Sequence, residues 1–183
     1  MERFFLEPEN SILIIIDIQE RLAAVMSERE TVVRNCLHLI EVSKLLKIPV
    51  LVTEQYPKGL GQTLEEIKTA LPEYRPVEKI TFNCCEEKEF MNLIASINRK
   101  KLILTGMETH ICVLQTCLGL LREGYHVHVV SDAVCSRSEK NKETGLNLMK
   151  DAGAVITCTE TVLFQLLRIA GTEEFKIISK RIK

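Results

Sequence analysis

The chain has 183 residues, with 24 basic against 25 acidic side chains and a formal net charge of -1. A protein that binds nucleic acid through its phosphates needs a basic surplus on one face, so we expect no nucleic-acid partner. Hydrophobic residues make up 46% of the chain, as in folded globular proteins. We therefore expect one domain over residues 1–183, large enough to bury a core without disulfides or metal ions.

Three features of the sequence predict where the protein resides. Residues Met1–Glu7 lack the basic start and the long apolar run of a secretory signal peptide. The longest strictly apolar runs, such as Ile12–Ile16, have the length of a strand, so neither a membrane span nor a membrane partner is expected. The seven cysteines lack paired spacing, which favours reduced thiols. We expect a cytoplasmic protein, with a reducing organelle matrix as the alternative.

Short apolar runs rich in Ile and Val alternate with longer stretches of helical periodicity. The predicted strands are Ile12–Ile16, Val50–Thr53, Val77–Phe82, Leu102–Thr105, Tyr125–Val130 and Ala154–Cys158. The predicted helices are Glu28–Lys47 (stopped by Pro49), Thr63–Ala70, one marked by Phe90, Leu93, Ile94 and Ile97, Cys112–Arg122, Glu139–Asp151, Thr161–Ile169 and Glu173–Arg181. Gln55–Gly61 is predicted to be a long loop. Six strand–helix alternations without a hairpin signal predict the α/β class, as a three-layer α/β/α sandwich with a six-stranded parallel sheet.

Three polar residues stand at or near the ends of predicted strands, where ligands bind in open parallel sheets. Asp17 directly follows five apolar residues, so its carboxylate needs a cation or a proton beside it. Lys79 lies in a strand-like stretch, where an inward ammonium needs a carboxylate. Cys112 opens a predicted helix, whose dipole would lower the pKa of its thiol. Taken singly, each also fits an ordinary role: a turn-capping aspartate, a lysine at a sheet edge and a buried apolar cysteine.

The patterns of several other chemistries are missing from the sequence. It contains no glycine-rich nucleotide-binding motif, no Cys-x-x-Cys pair and no Gly-x-Ser-x-Gly elbow. His126 and His128 share one face of a predicted strand and could ligate a metal, although packing within the sheet is the commoner role. A redox pair of Cys112 and Cys117 would be strained, because more than one helical turn separates them.

The chain resembles the isochorismatase-like cysteine hydrolases in segments that run nearly end to end. These segments are Leu13–Gln19, Lys79, Leu104–Thr116 and Ser131–Ala133. Asp17, Lys79 and Cys112 come in the order of that family, and its Gly-x-x-Thr-x-x-Cys-Val sequence begins at Gly106. Val52–Gly61 is similar to the subgroup called isochorismatase domain-containing proteins.

This resemblance implies a set of catalytic roles. Cys112 would be the nucleophile, Asp17 the general base and Lys79 the cation that accompanies the base. The backbone N–H groups of Glu108 and Cys112 would form the oxyanion hole, a device commonly worth about 3 kcal/mol of barrier. The peptide bond between Met107 and Glu108 would be cis.

The sequence departs from its relatives in ways that narrow the expected activity. Nicotinamidases of the superfamily carry an Asp-x-His metal motif after the second strand, where this chain has Glu54-Gln55-Tyr56, so we expect no metal and no other cofactor. Isochorismatases proper lack the cysteine, so Cys112 argues against that reaction. Glu108 stands where many relatives have a small residue, and an ionised carboxylate there would disfavour anionic substrates.

The predicted function is hydrolysis of a small amide or related C–N bond through a covalent cysteinyl intermediate, independent of metal. The partner is a small-molecule substrate, and the protein is expected to form a homo-oligomer. The alternative is a non-enzymatic binding or scaffold member of the same fold. Beyond the catalytic residues, the candidates for lining the substrate pocket are Gln19, Gln55, Tyr56, Phe82 and Met107.

Overall fold

The computed structural model describes all 183 residues and contains one six-stranded sheet in the order β3-β2-β1-β4-β5-β6. The strands are β1 (Ser11–Ile16), β2 (Val50–Gln55), β3 (Val77–Lys79), β4 (Lys101–Met107), β5 (His126–Cys135) and β6 (Val155–Thr157). Every neighbouring pair of strands is parallel, so all six carboxyl ends lie at one edge of the sheet.

Nine α-helices connect and flank the strands. They are α1 (Glu20–Ala23), α2 (Arg29–Leu45), α3 (Pro57–Leu60), α4 (Glu65–Ala70), α5 (Lys88–Ile97), α6 (Leu114–Arg122), α7 (Glu139–Asp151), α8 (Thr159–Leu167) and α9 (Glu173–Arg181). A π-helical turn at Thr109–Val113 precedes α6, and short 3-10 turns lie at Glu2–Phe4, Pro8–Asn10 and Cys84–Glu86. No helix combines the length and the apolar composition needed to cross a bilayer.

The alternation of side chains along β1 divides the core into two halves. Leu13 and Ile15 face the half formed with α2, α4, α8 and α9. Ile12, Ile14 and Ile16 face the half formed with α5, α6 and α7. A strand covered by helices on both faces is apolar on both faces, which is why β1 reads as an unbroken apolar run. The predicted three-layer α/β/α sandwich is confirmed.

The last helix packs on its own domain. Ile178 of α9 has no exposed surface and belongs to the core beside α2 and α8. The ring of Phe175 lies 6.1 Å from that of Phe164, measured between centroids. The apolar face of α9 is therefore largely used within the chain.

The structure corrects four features of the predicted elements. β5 continues to Cys135, although the prediction ended it at Val130. β3 stops at Lys79 rather than Phe82. The segment after Tyr56, predicted to be a loop throughout, contains the short helix α3. Cys112 lies within the π-helical turn and does not begin α6.

Gly106 brings the ends of β1 and β4 together. Its φ is +118°, and a Cβ at this position would lie 2.0 Å from the backbone oxygen of Ile16. Only glycine tolerates both that φ and that approach. The close contact places the residue after β1, Asp17, beside the loop that follows β4.

Candidate active site

A buried ion pair lies at the carboxyl edge of the sheet. Asp17 and Lys79 are 0% and 2% exposed, and the Lys79 Nζ lies 2.7 Å from the Asp17 Oδ2. The hydroxyl of Thr53 donates to the other carboxylate oxygen, Oδ1, at 2.6 Å. Asp17 has a φ of 52°, in the left-handed region that aspartate tolerates better than most residues. The pair predicted from the sequence is therefore assembled, with Thr53 as a partner that the prediction missed.

The ammonium of Lys79 has three acceptors. Besides Asp17, the Nζ donates to the Gln55 Oε1 at 2.6 Å and to the Thr81 backbone oxygen at 3.3 Å. Burial lowers the pKa of Lys79, but the charge of Asp17, its hydrogen bond and the neighbouring Cys84 and Cys112 together outweigh burial, so the pKa stands above its ordinary value. Lys79 therefore stays protonated at neutral pH. Gln55 is oriented by a bond from its Nε2 to the Ile80 backbone oxygen, at 2.9 Å.

Cys112 lies beside this pair with 5% of its surface exposed. Burial raises the pKa of its thiol, and the negative charge of nearby Asp17 raises it further, against an opposing effect of Lys79. This corrects the prediction of a depressed pKa. Burying a thiolate away from water destabilises it more than the helical turn and the shared cation Lys79 stabilise it. At neutral pH the resting cysteine is a thiol.

A second thiol near the pair was not predicted. Cys84 is fully buried, and its pKa is raised to about 12 by burial and then by the charge of Asp17. Its backbone N–H donates to the hydroxyl of Thr116, one helical turn after Cys112, at 3.1 Å. In the sequence Cys84 is distinguished only by its neighbour Cys85, a spacing that is typical of neither a disulfide nor a metal site.

The loop between β4 and the π-helical turn carries the predicted cis bond. The Met107–Glu108 peptide is cis, which confirms that expectation. Met107 is fully buried and belongs to the apolar core on the α2 side of the sheet. The proposal that Met107 lines the pocket is therefore corrected: its side chain fills the core, as its apolar thioether favours.

Glu108 does not present a free carboxylate to the pocket. It is 4% exposed, and Arg137 binds both of its oxygens through Nε at 3.2 Å. The backbone N–H of Arg137 also donates to the Glu108 Oε2, at 3.0 Å. Since this guanidinium compensates the charge, the expectation that Glu108 repels anionic substrates loses its basis.

Of the remaining pocket candidates, Gln19 is bonded within the chain, whereas the aromatic rings of Tyr56 and Phe82 are exposed. Gln19 donates from Nε2 to the backbone oxygens of Gln55 and Gly61, and its Oε1 accepts from the Gln55 N–H. Its amide is thus engaged in holding the 55–61 segment, not free for a ligand. Tyr56 and Phe82 are 55% and 52% exposed.

A cavity of about 340 Å³ opens beside Lys79. Its lining residues are Tyr56, Pro57, Lys58, Glu78, Lys79, Ile80 and Glu87. Cys112 and Phe82 are not part of this lining. The thiol of Cys112, which is 5% exposed, does not open into this cavity.

The residues at the position of the nicotinamidase metal motif are already bonded within the chain. One carboxylate oxygen of Glu54 accepts from the Thr63 N–H at 2.5 Å, from the Thr63 hydroxyl at 2.8 Å and from the hydroxyl of Tyr74. No group of three or more His, Cys, Asp or Glu side chains is arranged to hold a metal ion. His128 instead bonds through Nε2 to the Arg3 backbone oxygen, at 2.8 Å.

Comparison with known proteins places the chain among recognised relatives. The isochorismatase domain model matches residues 11–161. The secreted isochorismatase effector Isc1 of Phytophthora sojae is 41% identical over 180 residues, which cover 96% of this chain and 86% of that protein. Isochorismatase domain-containing protein 2A of Mus musculus is 37% identical over 176 residues, covering 96% and 84%.

Solved structures agree with the sequence relatives. The structure described as MAR1 ribonuclease from Caenorhabditis elegans superposes with a TM-score of 0.91 at 36% identity, over 97% of this chain and 92% of that one. The family match, the sequence identities and the sheet with its Asp17–Lys79 pair agree. The chain belongs to the isochorismatase family, in the company of the isochorismatase domain-containing proteins.

Proposed function

We propose that the protein is a cysteine-dependent hydrolase that cleaves a small amide or related C–N bond without a metal ion. The observation that carries this proposal is the buried Lys79–Asp17 ion pair, in which Nζ and Oδ2 are 2.7 Å apart. The Asp17 carboxylate of this pair lies beside the Cys112 thiol and raises the pKa of that thiol. A family of hydrolases supplies the reaction class. A base beside a nucleophile is the arrangement that covalent catalysis requires.

In the first half-reaction Cys112 starts as a thiol. Its Sγ attacks the substrate carbonyl carbon while Asp17 takes the thiol proton, so a thiolate is never free in the buried site. The C–N bond then breaks, and the leaving nitrogen takes the proton from Asp17. An amine departs and a thioester remains on Cys112.

The second half-reaction restores the enzyme. Asp17 takes a proton from water, whose oxygen attacks the thioester carbon, and the C–S bond breaks. The departing sulfur regains the proton from Asp17, and a carboxylic acid leaves. Lys79 keeps its proton throughout, because its raised pKa lies above neutral pH, and its positive charge stays beside the Asp17 carboxylate.

Backbone donors complete the proposed machinery. The N–H groups of Glu108 and Cys112 belong to the loop that carries the cis bond and bind the oxygen that becomes negative during attack. Gln55 acts through Lys79, to which its Oε1 is bonded at 2.6 Å. Tyr56 and Phe82, both exposed at this edge, contact the part of the substrate outside the reacting bond.

A screen of the purified protein against small amides, imides and related compounds tests the proposal. Cys112→Ala should abolish turnover and the acyl adduct that mass spectrometry detects on the wild type. Cys117→Ala is the matched control, since Cys117 is a fully buried thiol on the adjoining helix. Loss of turnover in both variants, or in neither, contradicts the assignment of Cys112.

RNA belongs in the same screen. The Caenorhabditis elegans relative is described as a ribonuclease, and it is 36% identical to this chain. The net charge of -1 offers no basic surplus for a phosphate backbone, so we expect no cleavage of RNA. Cleavage that disappears in Cys112→Ala would assign the same site to a different substrate class.

One observation favours a second candidate, a non-enzymatic binding or scaffold protein. Cys112 is only 5% exposed, and the cavity beside Lys79 does not include it. Under this alternative the site binds a small molecule near Lys79 and never acylates. A compound that stabilises the protein against heat without being turned over, together with an inert Cys112, would establish it.

The proposal also covers the cellular location and the oligomeric state of the protein. All seven cysteines are free thiols, four of them with no exposed surface (Cys36, Cys84, Cys117 and Cys135), which suits the cytoplasm or a reducing organelle matrix. We also propose a homo-oligomer, because Ile80 and Ile169 are 78% and 68% exposed. Light scattering on the purified protein should give a mass above the 20.8 kDa of one chain.

A further inference from the structure

The loop that carries the proposed oxyanion donors is tied down by side chains of its own. Glu108 accepts from the Arg137 Nε at 3.2 Å and from the Arg137 backbone N–H at 3.0 Å. Two residues later, the His110 Nδ1 lies 2.9 Å from the Ser136 hydroxyl. Two side chains of one loop therefore bind two successive residues of the β5–α7 connection.

Helix α7 packs closely against the same loop. A Cβ on Gly145 would lie 2.9 Å from the Cα of His110 and 3.0 Å from the backbone oxygen of Thr109. This spacing leaves no room for a side chain between α7 and the loop. The loop is thus held by charge-assisted bonds at Glu108 and by direct packing at His110.

The Glu108–Arg137 pair is unequal in exposure. The side chain of Glu108 is 5% exposed, whereas that of Arg137 is 61% exposed. A surface ion pair contributes little to stability, since water competes for both charges. Here one partner is buried and receives a backbone N–H as well, so the geometry of the loop depends on the pair more than the global stability does.

We propose that Glu108 and Arg137 are positioning residues that hold the backbone N–H groups of the Met107–Cys112 loop where the substrate oxygen becomes negative. This inference rests on the proposed function of Cys112 as the nucleophile. It concerns only how the negative oxygen is bound, and not the reactivity of the sulfur. Donors fixed in advance lose nothing to reorganisation during attack, and a displacement of about 1 Å can cost roughly a hundredfold in rate.

Two reactions of the same thiol separate positioning of the donors from reactivity of the sulfur. Iodoacetamide alkylates Cys112: a C–S bond forms, iodide leaves, Asp17 takes the proton and no oxyanion develops. p-Nitrophenyl acetate acylates it: Asp17 takes the thiol proton, a C–S bond forms, the carbonyl oxygen becomes negative, and the ester C–O bond then breaks as p-nitrophenolate leaves. Mass spectrometry of the Cys112 peptide measures both rates in one sample of the full chain.

The variants are Glu108→Ala and Arg137→Ala, with Glu108→Gln as the conservative replacement. We expect the ratio of acylation to alkylation to fall by about tenfold or more in Glu108→Ala, and by less in Arg137→Ala, which retains the backbone donor. Glu108→Gln keeps an acceptor for Arg137 and should recover part of the ratio. Arg122→Ala, an exposed arginine whose ion pair is with Glu123, should leave the ratio unchanged.

The outcomes are distinguishable. Equal losses in both reactions, or no loss in either, would overturn the positioning role while leaving Cys112 as the nucleophile. A wild-type protein that p-nitrophenyl acetate never acylates at Cys112 would overturn the proposed function and this inference with it. If Glu108→Ala does not fold, Arg137→Ala still decides, because truncating a mostly exposed side chain leaves the core intact.

Discussion

Asp17 is a carboxylate without exposed surface, and two neighbouring side chains donate hydrogen bonds to its oxygens. Thr53 binds Oδ1 at 2.6 Å and Lys79 binds Oδ2 at 2.7 Å. A buried ion pair is costly to assemble and costlier to break, since removing one partner leaves the other charge in a dry site. The two residues should therefore behave as one unit in both folding and catalysis.

Replacing Lys79 by Met should lower the free energy of unfolding by about 3–5 kcal/mol, because Asp17 then stays buried without its cation. Asp17→Asn is the reciprocal change. The Asp17→Asn, Lys79→Met double variant should be more stable than Lys79→Met alone, since neither charge is left unpaired. Urea denaturation at neutral pH measures all three. A double variant whose loss equals the sum of the two single losses would contradict the coupling.

Residue-level prediction from the sequence succeeded where one residue type has few tolerable environments. A carboxylate after five apolar residues requires a partner, and Lys79 is that partner. It failed for Cys112, whose pKa is raised and not lowered, because the helical position is visible in a sequence and the depth of burial is not. Gln19 and Met107 were predicted to line the pocket, but Gln19 bonds to the backbone of Gln55 and Met107 packs in the core, with partners from distant segments that the sequence does not reveal.

At the scale of elements, the site depends on how closely β1 and β4 approach. Gly106 allows that approach, with a φ of +118° and the Ile16 backbone oxygen where a Cβ would stand. A side chain at Gly106 is excluded for two reasons: the positive φ disfavours any residue with a Cβ, and the backbone of β1 occupies the space that the Cβ would need.

Gly106→Ala should lower the free energy of unfolding by about 3 kcal/mol or more, because β1 and β4 must separate to accommodate the methyl group. Gly124→Ala is the matched control: its φ is +80°, but nothing lies within 4 Å of the added Cβ. That change should cost only about 1 kcal/mol. Thermal melts monitored by circular dichroism give both values. Equal losses would show that backbone angle alone matters at Gly106.

The end of β2 bears on metal dependence. One oxygen of Glu54 already accepts hydrogen bonds from Thr63 and Tyr74, and no cluster of His, Cys, Asp or Glu side chains is arranged to hold a metal ion there. Turnover should survive exhaustive dialysis against EDTA within error of the untreated protein. Metal analysis of the purified protein is the companion measurement. Tightly held zinc or iron, with activity that only that ion restores, would disprove metal independence.

Periodicity predicted most elements because apolar residues recur at helical or strand spacing wherever a face is buried. The polar pair Ser131 and Asp132 concealed the continuation of β5, although the Ser131 hydroxyl bonds to the Thr157 backbone oxygen at 2.9 Å within the sheet. The π-helical turn around Cys112 gave no periodic signal either, since it spans only Thr109–Val113. Irregular geometry at a functional loop is set by tertiary contacts rather than by local preference.

At the scale of the whole molecule, thiols are buried on both sides of the sheet. Burial raises the pKa of Cys36, Cys84, Cys117 and Cys135 from an ordinary value of 9.0 to about 12. Between those two values the unfolded chain has released protons that the folded chain still holds. The free energy of unfolding must therefore fall as the pH rises from about 9 toward 12.

Urea midpoints under reducing conditions should be lower at pH 10 than at pH 8. Cys36→Ala should weaken this pH dependence, whatever its effect on stability at pH 8, because one of the titrating thiols is gone. A midpoint that does not change between the two pH values would show that the buried thiols do not control alkaline stability.

Turnover by Cys112→Ala, on a substrate found by the amide screen, decides whether Cys112 is the nucleophile. The thiol is 5% exposed, so alanine occupies less of the same space and the fold should be retained, as circular dichroism can verify. We expect the folded variant to lose turnover and the covalent acyl adduct together, while Cys117→Ala keeps both. A folded Cys112→Ala variant that turns over the substrate at the wild-type rate would contradict the assignment of Cys112 as the nucleophile.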